Sequence, residues 1–291
     1  MKNLRFLISG IFCILISYSL CSCGGDDESN QSAQPSTPNP SQPNSNKRLV
    51  KIEELGEETI EFKYDNQGNL VFVSVVEGDE YSEFTYEYDN NEIIVRGFEE
   101  KRLDGTGGEN VSKTYHLLDG KVISLAVEEE YNEFVDGYYE KESYVYNFVY
   151  NNANNHLTRV SCNSHDGSME YNFSWIDGML KEVQSVECYD KNSDYVYRVH
   201  DTYVYNTNPL VCKGFLPLLS DPEMLEECYL LIAKPELALM TVNYLPYSLK
   251  IDGSLFETFT YEFDNEGYIR KVYSQAESGN NEDAIYIFTW E

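Results

Sequence analysis

Through the body of the chain, apolar and polar residues alternate in short bursts. Phe84, Tyr86 and Tyr88 share one face of an extended segment while Thr85 and Glu87 share the other, the period of two expected of a half-buried strand. Each burst runs into an Asp or Asn, often with a Gly a few residues on. Asp and Asn bond their own backbone at a turn, and Gly accepts positive φ. Phe62-Lys63-Tyr64-Asp65-Asn66-Gln67-Gly68-Asn69-Leu70 sets the unit, and 84–93 repeats it. Weaker copies turn at Asp119-Gly120, Tyr150-Asn151, Asp177-Gly178 and Tyr205-Asn206, and 259–269 is a clear late copy. The residues preceding each Asp or Asn fall at 64, 88, 118, 150, 176, 205 and 263. All gaps are 24 to 32 except the last, which is 58, about two units. The pattern therefore predicts seven or eight hairpins, about 14–16 antiparallel strands, with one unit replaced by an insertion. So many strands must curl or close, which predicts an all-β, barrel-like or half-barrel sheet over 49–291.

Inside the long gap the pattern changes. Ser220-Asp221-Pro222-Glu223 is a helix start. Met224, Leu225, Cys228, Leu231 and Ile232 recur at spacings of three and four, and Lys234-Pro235 ends the run. We expect a helix near 220–233 within an insertion of about 215–240, its apolar stripe buried against the sheet, either across one open end or on the concave side.

These units resemble the YD-type repeats of exported bacterial proteins. Asn243-Tyr244-Leu245-Pro246 followed by 259–269 is similar to a family of Bacteroidota surface lipoproteins of unknown function. The resemblance implies a porin-like β fold and an outer-membrane address, and it carries over no catalytic residue.

The N-terminus changes the picture further. Lys2 and Arg5 precede an apolar run, Phe6 to Leu20, of signal-peptide length and short for a membrane span. Leu20-Cys21-Ser22-Cys23 resembles a lipobox, so Cys23 is expected to carry lipid after removal of 1–22. The acidic stretch Asp26-Asp27-Glu28 looks like a surface-export signal, with the periplasmic face as the alternative. Residues 29–46 are Ser, Asn, Gln, Pro and Thr with a single Ala; they cannot bury enough surface to order themselves, so 23–48 reads as a tether. Lys2 and Arg5 leave with the signal, so the mature chain carries 19 basic against 50 acidic residues, a formal charge of −31. That charge excludes nucleic acid as a partner and favours neutral or cationic ones.

Candidate chemistry is sparse. His116, His156, His165 and His200 show no metal-ligand spacing, and no GxSxG, Walker or GxGxxG segment occurs. Asp190-Lys191-Asn192-Ser193-Asp194 opens like a calcium loop, yet Tyr195 stands where the turn needs Gly. Neither a metal nor a cofactor is expected. Cys162, Cys188, Cys212 and Cys228 lack CxxC spacing; buried thiols are expected, with one disulfide as the alternative. The candidates for ligand stacking are Tyr138 and Tyr139 after Asp136-Gly137, and Tyr244 and Tyr247 around Leu245-Pro246. The leading expectation is a lipid-anchored, non-enzymatic binding or scaffold module for a glycan or protein partner. The alternative is a carboxylate-based hydrolase such as a glycosidase, shown by two acids about 5–10 Å apart in a cleft. A membrane-spanning barrel comes third, because the strands look shorter than the roughly 9–11 residues that spanning needs.

Overall fold

The computed structural model describes residues 47–131, 141–151, 156–163, 167–188, 196–213, 228–237, 244–277 and 283–291. The strands before the insertion are β1 (Leu49–Glu54), β2 (Glu58–Tyr64), β3 (Leu70–Glu77), β4 (Glu80–Asp89), β5 (Glu92–Arg102), β6 (Glu109–Leu118), β7 (Lys121–Tyr131), β8 (Lys141–Tyr150), β9 (Leu157–Asn163), β10 (Ser168–Ile176), β11 (Met179–Cys188) and β12 (Tyr197–Val204). The insertion holds β13 (Leu210–Val211), helix α1 (Tyr229–Ala233), a 3₁₀ turn at Pro235–Leu237 and β14 (Tyr244–Leu245). Then come β15 (Ser248–Ile251), β16 (Ser254–Phe263), β17 (Ile269–Ala276) and β18 (Ala284–Trp290).

Sixteen of these strands form a closed barrel in chain order, each antiparallel to its neighbours, and β18 pairs back onto β1. β13 and β14 make a separate two-stranded ladder. The hairpin count expected from the repeat is met, and the sheet closes.

The turns form as their residues dictate. Asp119-Gly120, Asp177-Gly178 and Asp252-Gly253 all have positive φ at both positions, the pattern of the two-residue turn that suits strand twist. At Asp65 the carboxylate accepts the N–H groups of Gln67 and Asn69, both at 2.8 Å, and Gly68 at φ 89° lets the chain return. Asp264 does the same for Glu266 and Tyr268, with Gly267 at φ 91°. The Asp of the repeat is thus a backbone cap.

All seven repeat anchors lie at one rim, because two barrel strands separate each from the next. This holds across the gap of 58 as well: only β15 and β16 lie between Tyr205 and Phe263. The insertion therefore lengthens one connection and replaces no unit, which corrects the expectation of a missing hairpin.

Inside, one face of each strand packs a continuous core, including Phe62, Val73, Phe84, Val95, Leu125, Phe148, Phe173, Leu249 and Phe288. The inserted helix fills the lumen. The described part runs over Tyr229–Ala233 with Cys228 as its N-cap; the first part of the expected helix, with Ser220, Met224 and Leu225, lies outside the described residues. Cys228, Tyr229, Leu230, Leu231 and Ile232 are all buried, so the helix is enclosed on every side. The Tyr229 ring sits 5.5 Å from that of Phe84 on β4.

Outside, the wall carries many charged and polar side chains among apolar ones such as Val76, Val145 and Val149. Glu61 and Lys63 on β2, Thr85 and Glu87 on β4, Arg96 on β5, Glu128 on β7, Arg159 on β9 and Gln184 on β11 are exposed on outward faces. Arg96 pairs with Glu87 at 2.9 Å and Lys141 with Glu128 at 3.0 Å. Strand length does not argue against spanning, contrary to expectation: β4, β6 and β8 have 10 residues and β5 and β7 have 11. The outward chemistry does, since a basic side chain on a lipid-facing wall costs about 2–4 kcal/mol at mid-bilayer.

Candidate functional site

The two ends of the barrel are built by different rules. At the rim carrying the anchors, an inward aromatic side chain of one hairpin donates a hydrogen bond to a backbone carbonyl of another. Tyr64 Oη donates to Leu49 O (2.7 Å), Tyr150 to Val122 (2.6 Å), Tyr205 to Leu180 (2.6 Å) and Tyr261 to Pro246 (2.6 Å). Tyr88 bonds the backbone of Leu70. The indoles of Trp175 and Trp290 donate to Leu157 O (2.7 Å) and Ile269 O (2.6 Å). Most of these rings sit at or beside a register shift, including Lys63/Tyr64, Val149/Tyr150 and Ser174/Trp175. Such a bulge re-aims a side chain, here onto the carbonyl. Bases then cover several rings: Arg48 over Tyr64, Lys121 over Tyr150 at 5.7 Å and Lys181 over Tyr205 at 4.8 Å. We call this end the clasp rim. The sequence announces the aromatics; their partners, a hairpin away, it does not.

At the clasp rim the ends of the barrel chain also meet. Lys47 Nζ lies 2.9 Å from Asp264 and 2.8 Å from Glu266, and the Lys47 N–H donates to Tyr268 Oη. Glu266 and Asp264 hold Lys47 above its usual value. Burial pushes the Asp264 carboxyl up, but Lys47 and the Tyr268 and Glu266 N–H groups outweigh it, and the net shift is downward.

The opposite end is an acidic mouth. Past the apolar layers, the inward positions become Glu54, Glu58, Glu77, Glu99, Glu109, Glu129, Glu142, Glu187, Asp201 and Glu257. Glu58 faces Glu77 directly across β2 and β3. Burial, then Glu77 and Glu54, push the Glu58 carboxyl up to about 7. Burial also raises Glu54, which bonds Tyr286, and Glu257, which bonds Ser274.

A second cluster crosses β5 to β8. Lys113, 2 % exposed, places its ammonium 2.9 Å from Glu99 Oε1 and 5.2 Å from the Phe84 ring. Tyr144 Oη donates to Glu129. Gly97 makes room for this stack, since a Cβ there would fall 2.0 Å from Glu83 O. Glu99, Glu109 and Glu129 each offer an oxygen, all within 4.8 Å of one another. Such a trio could hold a metal ion, but the protein supplies its own cation in Lys113. For the hydrolase reading, this cluster offers little: Lys113 and Glu129 are buried, and Lys113 already pairs with Glu99.

Two of the four candidate tyrosines lie among the described residues. Tyr138 and Tyr139 lie outside the described residues, in the connection between β7 and β8, whose ends meet at the mouth. Tyr244 is half-buried near Gly178, and Tyr247 is exposed at the clasp rim. His116 Nδ1 lies 3.1 Å from Glu92 on the outer wall. Cys162, Cys212 and Cys228 are buried and Cys188 half-buried; burial pushes the Cys212 thiol up to about 12. Cys23 and the calcium-like loop lie outside the described residues.

The sequence matches no family model and no characterised relative. The fold is similar to two solved structures described as porin-like proteins. One, from Bacteroides uniformis, has a TM-score of 0.56 and 17 % identity, covering 84 % of this chain and 95 % of that one. The other, from Bacteroides vulgatus, has a TM-score of 0.53 and 15 % identity, covering 83 % and 98 %. At such identity the likeness is one of fold: a porin-like closed barrel.

Proposed function

We propose that the chain is a lipid-anchored, non-enzymatic binding or scaffold protein of the outer membrane, displayed on the cell surface, whose barrel stands in water and conducts nothing. The observation that carries this reading is the inversion of chemistry across the wall. Glu87, Arg96, Glu128 and Arg159 face outward while Phe84, Val95, Leu125 and Val160 face inward. A spanning porin needs an apolar outer band and a wet interior; this barrel has a charged outside and a lumen filled by its core and α1. A body of this kind reaches a membrane through an anchor, which is the role we give Cys23. The porin-like neighbours agree with an outer-membrane address. The partner, a glycan or a protein surface, is neutral or cationic, because the mouth and the net charge repel anions.

Cell fractionation and protease shaving test the reading. The wild type should partition with the outer membrane and be cut on intact cells, and Cys23→Ala should release a soluble, detergent-free protein. A Cys23→Ala chain that stays in the membrane, or channel conductance from the wild type in planar bilayers, would overturn it. A glycan array probed with the released protein then separates glycan from protein partners.

A further inference from the structure

We propose that the clasp rim is the membrane-facing end of the barrel: its protruding side chains rest on a phospholipid surface, and the acidic mouth points outward. This rests on the anchored reading above. The first observation is where the chain enters. Lys47 is tied to Asp264, Glu266 and Tyr268, and Arg48 exchanges backbone hydrogen bonds with Glu291. The chain therefore enters the barrel at the clasp rim.

The second is length. The 24 residues 23–46, read from their composition as a tether, would as a flexible chain have an r.m.s. span of about 25–30 Å. Strands of 11 residues, tilted as in barrels, give a wall height that is also about 25–30 Å. With the clasp rim down, the tether stays relaxed. With the mouth down, it must run the full height of the wall before reaching lipid.

The third is the surface each end offers. Leu118 and Ile176 project from turn tips of the clasp rim, 58 % and 54 % exposed, and Val211 and Tyr247 stand out beside them. Bases including Arg48, Lys63 and Arg270 are exposed there among the acids, so headgroup phosphates meet mixed charge. At the mouth they would meet Glu54, Glu58, Glu77, Glu142 and Glu257. Exposed apolar tips stand at both ends, Leu55, Leu103 and Leu255 at the mouth among them; what separates the ends is the ring of carboxylates at the mouth, which opposes contact with headgroup phosphates.

The test places a tryptophan at either end. Leu118→Trp and Ile176→Trp report on the clasp rim, and Leu103→Trp, in an exposed turn, reports on the mouth. Each is made in the mature Cys23→Ala chain, held by an N-terminal hexahistidine tag on phosphatidylcholine vesicles containing a nickel-chelating lipid and bromine-labelled acyl chains. The parent chain supplies the background of Trp175 and Trp290. The clasp-rim tryptophans should shift to the blue and be quenched severalfold more than Leu103→Trp. Equal quenching at both ends, stronger quenching at Leu103→Trp, or none at any position would overturn the proposal. Because the tag supplies attachment, the result does not depend on acylation. Flotation of wild type against Cys23→Ala from cells tests the anchor separately.

Discussion

The clasp rim and the acidic mouth are opposite ends of the same strands, yet they handle buried polarity in opposite ways. At the clasp rim each aromatic donor meets one carbonyl, as Tyr150 meets Val122 and Tyr205 meets Leu180. The polar groups are neutral, satisfied in pairs and repeated around the ring. At the mouth, like charges converge, with Lys113 buried among three carboxylates and Glu58, Glu54 and Glu77 facing one another. Neutral pairs cost little to bury, whereas burial beside like charges disfavours the ionised form of a carboxyl group. The rim thus holds the barrel shut, and the mouth holds carboxyl groups such as Glu58 whose ionisation is disfavoured.

The sharpest way to break the contrast is Lys113→Met. It leaves Glu99 without its ammonium beside the carboxyl groups of Glu109 and Glu129, and uncompensated buried charge costs about 3–5 kcal/mol. The urea midpoint at pH 7 should fall accordingly. A loss under about 1 kcal/mol would mean that the cluster is hydrated.

Emptying the plug comes next. Leu230 is fully buried in α1, so Leu230→Ala should cost about 2–5 kcal/mol. Leu118→Ala, at an exposed turn tip, should change stability by no more than about 0.5 kcal/mol. Equal effects at the two sites would show that α1 does not fill the lumen in solution.

The mouth should also make stability fall with rising pH. The Glu58 carboxyl is raised to about 7 from an ordinary 4.5, so between those values the folded state holds more protons than the unfolded one. Linkage then gives a contribution present below about pH 4.5 and lost as pH rises to 7. Discounted for the part of Glu58 open to water, the loss is about 1–2 kcal/mol. Thermal melts of Glu58→Gln should be flatter than wild type over that window. Parallel melting curves would remove the mouth as their cause.

Smallest should be the single clasp. Tyr150→Phe deletes the donor to Val122 and should cost about 1 kcal/mol. Tyr150→Phe with Tyr205→Phe should cost the sum, since the two clasps share no partner. A marked departure from additivity in chemical denaturation would show that the clasps act as one ring.

Much of the architecture was legible in the sequence. Alternation at 84–88, the Asp-x-x-Gly turns at 65–68 and 264–267, and the spacing of anchors are local rules, and local rules act through neighbours in the chain. They predicted an antiparallel hairpin sheet of 14–16 strands and an apolar segment buried against it. The apolar spacing announced a helix, and the enclosed lumen decides where Tyr229 to Ala233 pack; the expected start at Ser220 lies outside the described residues. The last gap was misread because spacing cannot tell a skipped hairpin from a long connection. Only tertiary structure could close the ring, through the pairing of β1 with β18, and set aromatic donors against carbonyls a hairpin away. It alone gathered Glu99, Glu109 and Glu129 around Lys113. Fifty acids scattered along a chain carry no sign of which will meet, because charges separated in sequence become neighbours only when barrel closure brings their strands to one rim.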